Sequence, residues 1–190
     1  KIGLLGSYAR NEAKNDIAQL AFESDPKDRI QTLTRCLQQY PLDSTLVFVN
    51  MKSTANEICK HLQDLGAIVD TLHGDLDQRE REKVMTTFAN KSTRILVATD
   101  IAARGLDIEN LDLVINYDLP HDSETYLHRI GRTGRAGAKG VALTIVNPRD
   151  TVELVPFEEI TGEKFERPTL GFKNQYGLVP ELKIPLMNTL

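Results

Sequence analysis

The chain has 190 residues, of which 41% are hydrophobic and 26% charged, a composition typical of an ordinary globular domain. No apolar run approaches the ~18 residues that a membrane-spanning helix needs, so no membrane partner is expected. The net charge of −4 excludes a strongly basic protein that coats nucleic acid, so any nucleic-acid contact must come from a few placed groups. Cys36 and Cys59 lack metal-ligand spacing, which favours reduced, unpaired thiols and a cytoplasmic location.

Two polar ends flank the part of the chain with regular hydrophobic patterning. Residues 1–16 are polar and weakly periodic, and residues 166–190 contain several Pro and Gly residues that break any helix. We therefore predict linkers at both ends and one folded domain over residues 17–165. Within it, residues 17–22 predict an edge strand and residues 29–39 a flanking helix.

Short apolar runs alternate with longer amphipathic stretches in the rest of the domain. Runs rich in β-branched residues predict strands at residues 46–49, 68–72, 95–98, 113–115 and 141–145. Helical spacing predicts helices at residues 53–65, ended by Gly66, at residues 78–88, and after Asp122 as N-cap. This alternation is typical of an α/β fold, with an open parallel sheet and helices on both faces.

The residues with the most distinctive chemistry follow the predicted strands. They lie in residues 50–52, 73–75, 99–107 and 128–135. Ligands of open parallel sheets bind beyond the carboxyl ends of the strands. We therefore expect these four segments to meet at one functional edge of the sheet.

The last of these segments is rich in arginine and glycine. If a helix continues through it, His128, Arg132 and Arg135 lie on one face, and Gly131 and Gly134 leave the surface beside them bare. Guanidinium groups are always charged and fork onto phosphoryl oxygens, so the pattern favours a phosphate site. A solvated basic helix end is the alternative for any single arginine here.

Three other residues at this edge allow two interpretations each. Gly105 falls in a tight loop, where glycine permits positive φ or close backbone approach. Asp107 either points from that loop toward the functional edge or bonds its own backbone in a turn. Thr99 is either a residue of high β-propensity at a strand end or a phosphate ligand through its hydroxyl. His73 has no second His or Cys at ligand spacing, so no metal site is predicted.

The sequence lacks two features of a complete P-loop ATPase. It contains no Gly-x-x-x-x-Gly-Lys-Ser/Thr loop and no Asp-Glu dipeptide that could end a metal-binding strand. The arginines suit phosphoryl transfer, yet the groups that hold ATP and metal are absent. The chain is therefore expected to complete a site on another domain and to be inactive alone.

Four segments resemble motifs of superfamily 2 helicases, and together they cover about 90 residues in the order that these helicases have. The resembling segments are residues 46–50 (motif IV), Gln78 with Arg81 (the Gln-x-x-Arg motif), residues 98–108 (motif V of DEAD-box proteins) and residues 128–135 (motif VI). The domain is thus identified as similar to the second, C-terminal RecA-like domain of DEAD-box ATP-dependent RNA helicases. That resemblance implies a RecA-like, P-loop NTPase-like fold.

The resemblance also implies roles at the nucleotide. Arg132 and Arg135 would act as arginine fingers on the γ-phosphate of ATP, which an N-terminal RecA-like domain would hold together with Mg²⁺. His128 would contact the acidic motif of that domain. Asp107 would help to hold ATP across the interdomain cleft, and the closed interface would be supported by Arg104 and Gly105.

A second set of residues would follow the sugar-phosphate backbone of RNA. The set consists of Asn50, Lys52, Gly74, Gln78, Arg81 and Thr99. Many relatives have a threonine where Met51 stands, so the phosphate contact there would pass to Lys52 or to a backbone amide.

The C-terminal sequence resembles one subgroup. Residues 73–79 and 186–190 look like DbpA-type bacterial helicases, in which a linker leads to an RNA-recognition domain specific for large-subunit ribosomal RNA. The resemblance implies ribosomal RNA remodelling, ribosome biogenesis and an RNA-recognition domain after residue 190. Two alternatives stay open: a superfamily 2 DNA helicase or translocase domain, and a non-catalytic RNA-binding module. Preference for RNA over DNA separates the first, and the presence of both arginines speaks against the second.

Overall fold

The computed structural model describes residues 17–40, 42–134 and 139–168. Within them, one all-parallel sheet contains β1 (Ile17–Glu23), β2 (Thr45–Val49), β3 (Val69–Leu72), β4 (Ile95–Thr99), β5 (Leu113–Asn116) and β6 (Gly140–Val146). The strand order is β1-β6-β5-β2-β4-β3. The predicted parallel sheet is confirmed, and each predicted strand ends within one residue of the observed one.

Helices connect the strands. They are α1 (Arg29–Gln39), α2 (Lys52–Asp64), α3 (Gln78–Ala89), α4 (Asp100–Ala103), α5 (Ser123–Ile130) and α6 (Val155–Thr161), with 3₁₀ turns at Pro26–Asp28 and Thr151–Leu154. The sequence did not predict α4 or α6, because a helix of one or two turns carries too little hydrophobic periodicity. None of the helices in the described ranges is long and apolar enough to cross a bilayer.

The helix ends follow from local hydrogen bonding. Asp122 caps α5, since its Oδ1 accepts from the backbone N–H of Thr125 at 2.7 Å. Asp77 caps α3 within a capping box that it forms with Glu80. Gly66, at φ 88°, terminates α2 in the left-handed region, as predicted.

Helices cover both faces of the sheet, which also agrees with the prediction. One face packs against α1 and α2 through a core that includes Leu33, Val47, Ile58, Leu62, Val97 and Ile115. The other face packs against α3 and α4 over one half and α5 and α6 over the other, with a core that includes Phe48, Phe88, Leu96, Tyr126, Ala142 and Phe157. Alternation of side chains along each strand supplies both cores.

The two cysteines lie in the core beneath α1 and α2. Cys36 and Cys59 are buried and unpaired, as predicted. Burial raises the pKa of the Cys36 thiol to about 12 and that of Cys59 to about 11, because the thiolate would be poorly solvated there. Both thiols are therefore protonated at neutral pH.

The segment after α6 returns along the outer edge of β1. Glu166 donates its N–H to the carbonyl of Gln19 at 2.9 Å, and Ala21 donates to the carbonyl of Glu166 at 2.8 Å. Phe165 is buried against the ring of Tyr126, with 5.9 Å between the ring centroids. The rest of the two predicted linkers, residues 1–16 and 169–190, lies outside the described residues.

Candidate functional site

The carboxyl ends of the central strands bring distant segments of the chain together. β2 lies between β4 and β5, and Val49 is in register with Thr99. Asn50 and Asp100, the residues that follow these two, therefore start neighbouring loops at one edge of the sheet. Residues 117–119 leave β5 at the same edge.

A buried arginine lies at the centre of this edge. Arg129 is only 1% exposed and faces inward from α5 beside Tyr126 and Ile130. Its Nε donates to Asp100 Oδ1 at 2.8 Å, and its Nη2 donates to Asp100 Oδ2 at 2.6 Å. This bidentate ion pair with the Asp100 carboxylate neutralises the buried charge of Arg129.

The other N–H groups of Arg129 also have acceptors. Nη1 donates to Asn116 Oδ1 at 3.2 Å and to the carbonyl of Asp118 at 2.7 Å, and Nη2 donates to Asn50 Oδ1 at 3.0 Å. The guanidinium also lies 5.0 Å from the centre of the Phe48 ring. A guanidinium has five N–H donors, so these contacts satisfy all of them, as a buried charge requires.

The helix α5 does not continue into residues 131–134, so the condition under which His128 and Arg132 would share one helix face is not met. The helix ends at Ile130, and the chain then forms a parallel bridge between Thr133 and Leu111. The Thr133 hydroxyl donates to the Leu111 carbonyl, and Gly134 adopts φ 70°. These long-range bonds outweigh the weak helix propensity of a glycine-rich segment.

Arg132 contacts the loop that follows β4. Its guanidinium donates to the carbonyls of Ala103 at 3.1 Å, Leu106 at 2.9 Å and Ile108 at 3.2 Å. Gly105, inside this loop, has φ 76°, and no atom lies within 4 Å of a Cβ built on it. The loop therefore requires glycine for its backbone conformation. Arg135 lies outside the described residues.

The other residues predicted at the nucleotide are exposed at this edge. Arg104 and Asp107 lie at the surface of the loop that Arg132 holds. The side chain of His128 is 73% exposed, and its Nε2 lies 4.0 Å from Glu124 Oε1, one turn earlier in α5. Among the described residues, no group of three or more His, Cys, Asp or Glu side chains could hold a metal ion.

One of the predicted RNA contacts, Lys52, forms an exposed ion pair with Asp75. Lys52 Nζ lies 2.7 Å from Asp75 Oδ2, and both side chains are about two-thirds exposed. The hydrogen bond from Lys52 and its positive charge lower the pKa of the Asp75 carboxyl. Gly74 is exposed beside this pair.

The remaining predicted RNA contacts have partners within the protein to different degrees. Gln78 Nε2 donates to Glu82 Oε1 at 3.1 Å, whereas the half-buried Arg81 has an Nε without a hydrogen-bond partner among the described residues. Thr99 caps α4 by accepting from the N–H of Ala102 at 3.4 Å.

Asn50 uses its side chain inside the protein. Its Oδ1 accepts from Arg129, and its Nδ2 donates to the carbonyl of Leu119 at 3.2 Å. Its backbone N–H donates to Asp118 Oδ2 at 2.8 Å. In this structure the amide of Asn50 therefore shapes the loop over residues 50–52.

Sequence reasoning missed the central arginine and its acidic partner. A signal was present, because Arg129 follows Tyr126 by three residues and precedes Ile130, which places it on the apolar face of α5. Charged residues are almost never fully buried unless they are paired. The partner Asp100 lies at a strand end, but only the fold shows that the two residues meet.

Comparisons with known proteins agree with this fold. Residues 28–137 match the family model described as the helicase conserved C-terminal domain. The chain is 44% identical over 139 residues to the ATP-dependent RNA helicase DbpA of Escherichia coli, which covers 73% of this chain. It spans 30% of the length of that relative.

Solved structures of DEAD-box proteins have the same fold. The E. coli DEAD-box protein SrmB is 30% identical, with a TM-score of 0.75 over 89% of this chain and 97% of that chain. S. cerevisiae Dbp5, in a structure bound to RNA and ADP BeF3, is 35% identical, with a TM-score of 0.74 over 80% of this chain and 41% of that chain. The chain therefore belongs to the helicase conserved C-terminal domain family and is the C-terminal RecA-like domain of a DEAD-box helicase.

Proposed function

We propose that this domain is the second motor domain of an ATP-dependent RNA helicase. In this role it completes an ATPase site on an N-terminal RecA-like domain and holds RNA by its sugar-phosphate backbone. The observation that carries the proposal is the convergence of two sets of residues on one sheet edge. The loop over residues 50–52 and the start of α3 form one set, and the loop over residues 99–107 with the end of α5 forms the other.

The nucleotide side of the proposal rests on the loop that Arg132 holds. Three carbonyls of this loop accept from the Arg132 guanidinium, and Arg104, Gly105 and Asp107 lie in the same loop. These groups would reach the nucleotide together when the two domains close, and Arg132 and Arg135 would then stabilise charge on the transferred phosphoryl group. His128, whose side chain is exposed on α5, would contact the N-terminal domain.

ATP and Mg²⁺ would be held mainly by the N-terminal domain, since this chain has no P-loop. Purified residues 1–190 should therefore show no ATPase activity above background. Joining them to the N-terminal domain should give RNA-stimulated turnover, because closure around RNA assembles the site. RNA-dependent ATP hydrolysis by residues 1–190 alone would contradict the proposal.

The RNA side predicts contact with the backbone and indifference to base sequence. Lys52, Arg81 and nearby amides are few, and the net charge of −4 is unfavourable, so the isolated domain should bind weakly. RNA homopolymers should be titrated at several salt concentrations. The logarithm of the binding constant should fall with the logarithm of the salt concentration, with a slope of about −0.7 per neutralised phosphate on single strands. Deoxy homopolymers should bind less well, because they lack the 2′-hydroxyl that distinguishes RNA. Equal affinity for RNA and DNA would favour a DNA helicase or translocase domain instead.

The finer part of the proposal concerns the RNA target. The full-length protein would be a DbpA-type helicase that acts on ribosomal RNA in the cytoplasm and takes part in large-subunit assembly. An RNA-recognition domain would follow residue 190. The support is the resemblance of residues 73–79 and 186–190, together with the identity to DbpA. The full-length protein should bind structured ribosomal RNA more selectively than a version that ends at Leu190, because a tethered second binder raises local concentration. Equal selectivity of the two would remove this part of the proposal.

A further inference from the structure

Arg129 joins the two sets of residues through direct hydrogen bonds. On the RNA side it donates to Asn50 Oδ1 at 3.0 Å, the residue with which the loop over residues 50–52 begins. On the nucleotide side it donates twice to Asp100, at 2.8 and 2.6 Å, at the start of α4 and of the loop that Arg132 holds. One guanidinium therefore contacts the first residue after β2 and the first residue after β4.

The loop over residues 50–52 is held from a second side as well. Asp118 Oδ2 accepts from the backbone N–H of Asn50 at 2.8 Å, and Asp118 Oδ1 accepts from Arg29 Nη2 at 2.7 Å. The carbonyl of Asp118 accepts from Arg129. Both the backbone and the side chain of Asn50 thus belong to the network that Arg129 centres.

Every hydrogen-bond donor of the Arg129 guanidinium is used, and its acceptors include residues of both loops. All five of its N–H groups have acceptors within the protein, and the Arg129 side chain is 1% exposed, whereas Asn50 and Asp100 reach the surface. A shift of Asn50 would remove a protein acceptor from the charged guanidinium unless Arg129 and Asp100 shifted with it. The two loops are thus joined through one side chain.

We propose that Arg129 is a positioning residue that couples RNA contact at residues 50–52 to the geometry of the nucleotide loop over residues 99–107. The inference rests on the proposed function, which assigns a ligand to each loop. The opposing interpretation is an ion pair that stabilises the fold without linking the ligands. The two interpretations differ in one measurable quantity, the factor by which nucleotide changes RNA affinity.

The test uses the full-length protein and a single-stranded RNA homopolymer. RNA affinity is measured with and without ADP–beryllium fluoride, and the ratio of the two affinities is the coupling factor. Arg129→Lys keeps the charge but loses the fork of donors, so it should lower this factor about tenfold, within the range usual for coupled sites. A wild-type coupling factor in Arg129→Lys would overturn the inference.

Tyr126→Phe is the matched control, because Tyr126 lies on the same helix face and donates to Gln19 Oε1 at 2.5 Å, away from both loops. It should lower the unfolding temperature and leave the coupling factor unchanged. An equal loss of coupling in Tyr126→Phe would show that destabilisation alone reduces it and would overturn the inference.

If Arg129→Lys does not fold, Asn50→Ala and Asp100→Asn decide the question. Each should lower the coupling factor, and the double variant should lower it no further, because both changes cut the same connection. Additive losses would overturn the inference. A wild-type protein that binds RNA and nucleotide without any coupling would overturn it as well, whereas a wild-type protein that binds no RNA would overturn the proposed function itself.

Discussion

Two pairs of opposite charge lie at the same sheet edge and differ in their surroundings. Arg129 and Asp100 approach to 2.6 Å, and Lys52 and Asp75 approach to 2.7 Å. The Arg129 side chain is 1% exposed, whereas that of Lys52 is 60% exposed. The lengths of the two ion pairs are nearly equal, so length does not reveal what each pair does.

The difference in burial separates a structural pair from a pair that a ligand can exchange. Removal of a partner from a buried pair leaves an uncompensated charge, whereas exposed pairs contribute little to stability. Water can solvate Lys52 and Asp75 as they separate, so a phosphate can replace Asp75 at little cost. Arg129 has no such alternative. Arg129 is therefore fixed within the structure, whereas Lys52 can exchange its partner, as the proposed RNA contact requires.

Arg132 extends the comparison, because it is half-buried and donates to carbonyls that carry no net charge. If it acts as an arginine finger, Arg132→Ala in the full-length protein should lower RNA-stimulated turnover roughly 10³-fold or more. Steady-state ATPase assays at saturating RNA measure this effect, with Arg149→Ala as a control on an exposed arginine outside the site. Near wild-type turnover in Arg132→Ala would show that Arg132 stabilises the loop and does not act on the phosphoryl group.

The buried pair should matter most for stability. Arg129→Ala should lower the free energy of unfolding by about 3–5 kcal/mol, because Asp100, Asn50 and Asn116 lose a buried partner. Urea denaturation of the domain measures the change. Arg29→Ala, which removes a partly exposed pair with Asp118, should destabilise the domain less. The reverse order would show that burial does not distinguish these pairs.

The exposed pair should matter for RNA and hardly at all for stability. Lys52→Ala should leave thermal unfolding nearly unchanged, weaken binding to all homopolymers alike and reduce the magnitude of the salt slope by about 0.7. Asp75→Asn should strengthen binding a few-fold, because it removes the internal competitor for Lys52. Unchanged binding in both variants would exclude this pair from the RNA path.

The buried thiols extend the comparison to ionisable groups without a partner of opposite charge. Folding raises the pKa of both cysteines above the ordinary value of 9.0, to about 12 for Cys36 and about 11 for Cys59. Their protonated form therefore stabilises the fold fully below pH 9, and this contribution is lost as pH rises from 9 toward 11–12. Urea denaturation should show a decrease in stability over that window, and Cys36→Ala should show a smaller one. A flat profile would contradict the burial of the thiols.

The sequence predicted strands and long helices well, because their signals are local. Residues 46–49 and 95–98 are apolar throughout, and that pattern suits a strand buried on both faces. The point at which the helix ends, Ile130, was left open, because the conformation of the next residues depends on Leu111, some 20 positions earlier in the chain. A local sequence pattern cannot predict a hydrogen bond between residues so far apart in the chain.

The candidate site was predicted in part for a similar reason. Motif spacing indicated which residues gather at one edge, and the strand order confirms that residues 50–52 and 99–107 follow neighbouring strands. Arg129 was overlooked because a charged residue between His128 and Ile130 looks like another surface group. Its role depends on Asp100 and Asn50, which only the folded sheet brings to it.

The short return of residues 163–167 covers part of the outer edge of β1, where another copy could otherwise pair. An open strand edge offers unpaired N–H and carbonyl groups to any other chain, and such edges promote aggregation. Glu166 occupies part of this edge, and Pro168, two residues later, has no N–H with which to extend the ladder. The opposite edge strand, β3, has only four residues and is a poor template. A domain shortened to Gly162 would expose the β1 edge and become prone to self-association in solution.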